Sequence, residues 1–563
     1  MTNKSTDFNW LNENSRNFLN NGYLTEGVSP EQRIRSIADT AESILGIEGF
    51  SDKFYGYMAK GYYSLSSPVW SNFGTNKGLP ISCFGSHIED NMGGILQTQA
   101  EVGIMSKFGG GTSGYFGDLR HRGAPITDNG RSSGAVHFMK LFESIIDVVS
   151  QGSTRRGRFA PYLPIEHADI DEFLNIGTEG DPIQELTHGV TVTDAWMKSM
   201  IAGDPDKRAT WAKVIQRRTE IGLPYIFFKD TVNRGTVDVY KDKALEITHS
   251  NLCSEVSLPN NADESFVCCL SSMNLLQYDA WKDTDAVETM TYFMDAVMTE
   301  FLTKLEALRD SVKREDRKAF EFMERSYTFA KNHRAIGIGA LGWHSYLQSK
   351  MIPFESMDAA QLNASIFERI QTKALKASKE LAGIYGEPDV LKGYGRRNST
   401  LTAVAPTTSS AFILGQVSQS IEPIWSNNYV KDVAKAKVTI RNPYLQGVLA
   451  TYGKDTREVW NSIRDHDGSV QHLDFLTNHE REVFKTFSEI NQYAVIDQAA
   501  IRQQFIDQSQ SLNLMVNPNV SAKEMNALYL HAWENGVKTL YYQHGTNAAQ
   551  QFSKDKLCAV CEA

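Results

Sequence analysis

The sequence predicts an α/β fold, either a barrel or a large open sheet, and two observations lead there. Between about residue 66 and residue 545, short runs rich in β-formers alternate with helical segments; Gly189–Thr193, Pro224–Phe228 and Ser399–Val404 are three of the runs. The helical segments carry apolar side chains at three- and four-residue spacing. Over 286–310, Met290, Phe293, Met294, Val297, Phe301, Leu305 and Leu308 form one core-facing stripe. Strands separated by helices are the pattern of a sheet with helices packed on it. The stripe itself is a packing surface with no chemical implication.

Taken in order, residues 1–65 read as a polar N-terminal helical region with amphipathic stretches such as Pro30–Leu45. Residues 66–545 form the α/β body, without an internal repeat at a solenoid period. After Tyr542 the apolar content falls, and residues 546–563 read as a flexible tail.

Bulk properties narrow the function classes. The chain has 563 residues, 41% hydrophobic and 22% charged, with a net charge of −10 and a pI near 5.8. A nucleic-acid polymer is therefore not the expected partner, because its binders carry basic surfaces. Neither a signal-peptide core nor an apolar run long enough to span a membrane is visible, so a cytoplasmic location is expected. Six cysteines, Cys83, Cys253, Cys268, Cys269, Cys558 and Cys561, are too few for a disulfide-stapled secreted scaffold. Two of them lie almost at the C-terminus, where burial as small hydrophobes does not account for them.

Two glycine motifs mislead. Gly109–Gly114 and Gly337–Gly342 both match GxGxxG, a pattern that signals a dinucleotide only between a strand and a helix, with an acidic residue about 20 positions on. Neither has that context. No metal-ligand spacing is found, since the histidines are scattered and Cys558-Ala-Val-Cys561 has no second pair to complete a zinc site.

The chemistry centres on Asn251-Leu-Cys253-Ser-Glu255. On an extended segment, alternation would point Asn251, Cys253 and Glu255 to one side. A thiol between an amide and a carboxylate combines a radical carrier or nucleophile with a base and an orienting group. A cysteine protease would need a histidine instead, and His249 is near enough in sequence to leave that alternative open.

This segment resembles the finger loop of ribonucleotide reductases. The resemblance extends through Ser82-Cys83, Cys268–Leu275, Arg397–Ser410, Gly536–Tyr542 and the terminal cysteine pair, in family order. It implies a ten-stranded α/β barrel with Cys253 on a loop threaded through its centre. It implies that Cys253 carries the thiyl radical that removes the substrate 3′ hydrogen, that Glu255 deprotonates the 3′-hydroxyl and that Asn251 hydrogen-bonds the substrate. Cys83 and Cys268 match the dithiol that supplies two electrons, although Cys268 and Cys269 could exchange places in the match. Cys269 otherwise reads as a packing residue.

Tyr541-Tyr542 resembles the stacked tyrosine pair of class I large subunits, which receives an oxidising equivalent from a partner. The resemblance then implies no metal in this chain, a metal or radical cofactor in a ferritin-like small subunit, and a homodimer reduced by thioredoxin or glutaredoxin through Cys558 and Cys561. An adenosylcobalamin-dependent reductase is the alternative, and would not need the tyrosines. From Gly545 to Cys558 the tail reaches at most about 45 Å. Substrate phosphate is expected at Pro406, Thr407, Thr408, Ser409 and Ser410, where a strand gives way to a helix N-terminus, with further substrate contacts at Ser67 and Ser82. Nucleoside triphosphate specificity effectors (dNTP or ATP) are expected at Asp90, Arg120, Ile126 and Arg155. Because Cys83 comes so early, no room is expected for an N-terminal ATP cone.

Overall fold

A computed structural model describes residues 7–81, 83–151, 156–433, 436–517 and 519–545. The N-terminal region forms the helices Glu13–Asn20, Pro30–Leu45 and Phe50–Ala59. The second shows how local sequence sets an element. Ser29 and Gln32 form a capping box, Pro30 occupies the first turn, and Gly46 ends the helix at φ 62°. Ile34, Ile37, Ala38, Ala41 and Leu45 bury its inner face. Arg33 lies on that face too, and its guanidinium donates to the carbonyls of Val69, Trp70 and Phe73 at 2.7 to 3.0 Å. These carbonyls end the helix Ser67–Asn72, where a cation is favoured. The N-terminal layer is thereby clamped to a helix that borders the central pocket.

The body is a barrel built from two antiparallel halves. Strands Cys83–His87, Gly111–Tyr115, Arg158–Pro164, Gly189–Val192 and Tyr225–Phe228 run parallel in that order. Phe266–Asn274 turns the direction, pairing antiparallel with Cys83–His87 and parallel with Ile336–Leu341. From there the ladder continues through short extended segments. Ile338 bridges Thr402, and Val404 bridges Gln510. Tyr541 N then donates to Leu512 O at 2.9 Å, and Leu514–Met515 pairs with Gln543–His544. Thr539–Leu540 closes the ring antiparallel to Tyr225–Phe228. Five strands per half make the expected ten-stranded barrel. Helices cover its outside, and a short strand, Tyr63–Leu65, caps the far end of Phe266–Asn274.

Gly337 and Gly339, flagged in sequence as a GxGxxG motif, lie inside a strand. A Cβ on Gly339 would sit 2.7 Å from the Ala403 carbonyl oxygen. Glycine is there to let two strands approach, not to bind a phosphate.

The helix Ala286–Arg309 buries the apolar stripe seen in sequence, together with one carboxylate. Asp295 is held by Arg334 at 2.8 Å, Arg397 at 2.9 Å and Asn398 Nδ2 at 3.0 Å. The two guanidinium groups hold its carboxyl below the usual range despite complete burial. Asp295→Asn would leave the buried Arg334 and the half-buried Arg397 without their counter-charge. A loss of about 3–5 kcal/mol is expected, read as a lower urea midpoint by fluorescence and circular dichroism together.

Candidate active site

The segment carrying Cys253 threads the barrel as a tight turn rather than as an extended strand. Asn251 N donates to Val256 O at 3.2 Å and Ser254 N to Asn251 O at 3.3 Å, while Val256 N donates to Asn251 Oδ1 at 3.1 Å. Ser254 takes a left-handed φ of 70°. The sequence expectation of simple alternation is therefore corrected. Asn251, Cys253 and Glu255 do line one pocket, but a turn at Ser254 brings them there. Ser511 fixes the loop from the opposite wall, its hydroxyl donating to Cys253 O and, at 3.0 Å, facing Glu255 Oε2. The Tyr162 hydroxyl meets Ser250 Oγ at 2.6 Å and Asn251 O at 3.1 Å. Asn251 Oδ1 is thus committed to the loop, and its amide NH2 is the group that donates toward Glu255.

Electrostatics separates Glu255 from His249. Burial pushes the Glu255 carboxyl up to about 7, against the opposing hydrogen bonds of its own backbone, Asn251 and Ser511. A group poised there takes and returns a proton near neutral pH. His249 is enclosed by Phe266, Tyr162 and Tyr115, with ring centroids 5.3 to 6.0 Å away, and burial drives its imidazole down to about 3. A neutral, aromatic-caged imidazole is a poor partner for a thiolate. The protease alternative loses its base.

Cys83 and Cys268 are directly opposite one another across the antiparallel ladder. Facing positions in such a ladder lie about 4.5–5.5 Å apart at Cα, within the span of a disulfide. Neither is in a disulfide in this structure. Cys83 is half-buried and lines the pocket, whereas Cys268 lies beneath the wall at 1% exposure. Cys269 is the next residue on that strand, so alternation turns it to the opposite face; burial first, then Cys83 and Asp295, push its thiol up. The register thus sets Cys268, and not Cys269, opposite Cys83.

One end of the pocket is closed by Pro406–Ser410 and the helix Thr408–Ile413. No side chain caps that helix; Thr407 Oγ1 instead accepts from Ser420 N at 2.7 Å. Ser67 borders the pocket and donates to the Tyr23 hydroxyl at 3.3 Å. Arg156 and Arg158 line the pocket as well. Ser82 lies outside the described residues.

Tyr541 and Tyr542 sit on the strand that closes the barrel, both buried. Their ring centroids are 4.4 Å apart and tilted by 55°, so the pair is in contact but not stacked. Sequence reasoning missed a third ring. Tyr225 lies 4.8 Å from Tyr541 and 5.1 Å from Tyr542, and its hydroxyl is pushed far up by burial, by Tyr542 and by Cys253. The only sequence signal was the β-rich run in which Tyr225 sits.

Asp90 and Arg120 pair at 2.8 Å, and Arg120 also donates to Pro125 O at 3.1 Å. Ile126 lies on the adjoining turn, its N–H bonded to Gly130 O at 2.9 Å. These three gather at one place and do not line the pocket that holds Cys253. Arg155, Cys558 and Cys561 fall outside the described residues. No group of three or more metal-binding side chains occurs among the described residues, and no helix among them is long and apolar enough to cross a membrane.

Known proteins share this architecture. Residues 81–210, 204–390 and 387–543 match the ribonucleotide reductase barrel domain, and residues 9–78 match the ribonucleotide reductase all-alpha domain. The chain is 33% identical over 634 positions to the ribonucleoside-diphosphate reductase large subunit of Invertebrate iridescent virus 3, covering 97% of each. It is 29% identical over 589 positions to the Caenorhabditis elegans large subunit, covering 89% of this chain and 72% of that one. Among solved structures it is similar to the Actinobacillus ureae class Id ribonucleotide reductase alpha subunit. There the identity is 56%, the TM-score 0.89, and the coverage 97% of this chain and 99% of that one. With the barrel, the threaded cysteine loop and the facing thiols in place, these likenesses show that the chain belongs to the ribonucleotide reductase large-subunit family.

Proposed function

We propose that the pocket reduces ribonucleoside diphosphates to 2′-deoxyribonucleoside diphosphates by a radical started on Cys253. The observation that carries this reading is the placement of Cys83 and Cys268 face to face in the wall beside Cys253 and Glu255. A Cys253 thiyl removes the 3′ hydrogen of the ribose. The Glu255 carboxylate takes the 3′-hydroxyl proton, and the Asn251 amide holds the same edge of the sugar. The 2′-hydroxyl departs as water with the proton of one thiol, C2′ takes the hydrogen of the other, and two electrons pass from Cys83 and Cys268 as their sulfurs join, while Glu255 returns its proton to the 3′ oxygen. Cys253 returns its hydrogen to C3′ and is again a thiyl. Pro406–Ser410 binds the diphosphate through hydroxyls and helix-end amides, with Ser67 and Ser82 alongside.

The radical reaches Cys253 through Tyr542 and Tyr541 from a ferritin-like small subunit holding the metal. Cys558 and Cys561 return the disulfide to the dithiol and are themselves reduced by thioredoxin or glutaredoxin. Asp90, Arg120, Ile126 and Arg155 hold a nucleoside triphosphate effector in a cytoplasmic homodimer.

The decisive experiment uses the chain with Cys558→Ser and Cys561→Ser, so that oxidation stops at the inner pair. One quenched turnover should leave one Cys83–Cys268 disulfide per deoxynucleotide formed, measured by peptide mass spectrometry. Product without that disulfide would overturn the reading.

Glu255 adds a pH prediction. It acts only when ionised, so the rate should rise as pH rises through about 7 and level off above it. Glu255→Gln should lower the rate about 10²- to 10⁴-fold and remove that limb. Linkage has the opposite sign. A carboxyl raised by burial favours the folded state below its unfolded value near 4.5, and that stability is lost as pH rises to about 7. Glu255→Gln should therefore gain stability relative to the native chain above pH 7, separating loss of activity from loss of fold.

A further inference from the structure

Gln508 begins the short barrel segment that runs to Leu512, and its side chain is completely buried. Four contacts surround its amide. Oε1 accepts from Ser257 N at 3.1 Å, and Nε2 lies 3.4 Å from Cys268 Sγ, 3.0 Å from Thr400 Oγ1 and 3.1 Å from Ile336 O. The orientation of a glutamine amide is set by its partners. Ser257 N can only donate, so the oxygen faces it and the NH2 faces the sulfur. The Cys268 thiol directs its own proton toward Cys269 O at 3.6 Å, leaving sulfur lone pairs to accept. Lys538 Nζ donates to the Gln508 carbonyl at 2.7 Å and, through the Ile506 and Asp507 carbonyls just before it, holds this segment to the strand that leads to the tyrosines.

Resting on the reading above, we propose that Gln508 is a further catalytic residue, acting when the Cys83–Cys268 disulfide is re-reduced. Of the two sulfurs, Cys83 is the accessible one. An incoming thiolate from a dithiol attacks Cys83 Sγ, and a new sulfur–sulfur bond forms there. The Cys83–Cys268 bond breaks with its electron pair on Cys268 Sγ, which leaves as a thiolate and is then protonated. The dithiol's second thiolate attacks the mixed disulfide and frees Cys83, so the dithiol is oxidised and the pair is reduced. Exchange is faster when the leaving thiolate is stabilised. Everything else around Cys268 opposes that charge: burial first, then Cys83 on the facing strand, Cys269 on its own strand and Glu255 on the finger loop. Tyr240 also lies within its electrostatic reach. The Gln508 N–H is the group that favours it.

The test uses the full-length chain carrying Cys558→Ser and Cys561→Ser, oxidised to the Cys83–Cys268 disulfide, with dithiothreitol as the dithiol. Loss of disulfide is followed by alkylation and mass spectrometry between about pH 6 and pH 9. A hydrogen bond to a charged group of this kind corresponds to roughly a tenfold to hundredfold effect. Gln508→Met, which cannot donate, should slow exchange by about that factor at every pH. Gln508→Glu keeps the acceptor for Ser257 N. It donates to sulfur only while protonated, so its deficit should widen as pH rises, a pattern that a merely structural loss would not produce. Native exchange rates in Gln508→Met would overturn the proposal, whether or not Gln508→Glu folds. A chain with native Gln508 that forms no Cys83–Cys268 disulfide would instead sink the underlying reading, and this inference with it.

Discussion

Cys253→Ser is expected to abolish deoxynucleotide formation while substrate and effector still bind. The loop does not depend on the sulfur for its shape. Its turn is made by Asn251, Ser254 and Val256 backbone and side-chain bonds, and Ser511 grips the Cys253 carbonyl rather than its side chain. Serine therefore preserves the geometry and removes only the group able to hold the radical at an accessible potential. Product chromatography and calorimetric titration of nucleoside diphosphate should show zero turnover with near-native affinity. Full activity in this variant would end the radical assignment. Loss of binding together with turnover would instead make Cys253 a structural residue.

The second large effect is expected at the tyrosines. Tyr541→Phe and Tyr542→Phe should each bring turnover with the radical-generating partner to background. Both rings are buried and packed on Tyr225, and phenylalanine retains that packing, so melting temperatures should stay close to native. What is lost is the phenolic O–H, the only part of the ring that is readily oxidised and deprotonated. A reductase that generated its radical in place, with adenosylcobalamin, would be indifferent to these changes. Undiminished turnover in either variant would thus remove the long-range route and favour the in-place one. Tyr225 offers an internal comparison, since it touches both rings without belonging to the expected pair.

Much of the local structure was written in the sequence. The α/β alternation, the Pro30–Leu45 helix with its cap and the buried stripe of Ala286–Arg309 follow from side-chain periodicity and backbone preferences. These act between residues a few positions apart. Cysteine placement, with Tyr541-Tyr542, was enough to recognise the family. Even so, the same local rules misjudged the finger loop. Alternation assumes an extended chain, and the left-handed Ser254 breaks it.

What only the tertiary structure decided depends on register between distant segments. Cys83 and Cys268 are 185 positions apart, and a slip of one residue would have presented Cys269 instead. The packing of Phe266–Asn274 between two other strands fixes that register, and nothing local to either cysteine encodes it. Barrel closure is equally non-local: Ser399–Val404 was legible as a β-rich run, but its pairing with Ile336–Leu341 and with Gln508–Leu512 rests on single bridges that no local pattern encodes. The same holds for the buried polar residues that position the site. Arg33, Asp295 and Gln508 look like ordinary surface residues in sequence. They can be buried only because the completed fold supplies three carbonyls, two guanidinium groups, and a sulfur with a backbone amide, respectively. Burying a polar group without such partners is costly, so its place becomes readable only after the chain has folded around it.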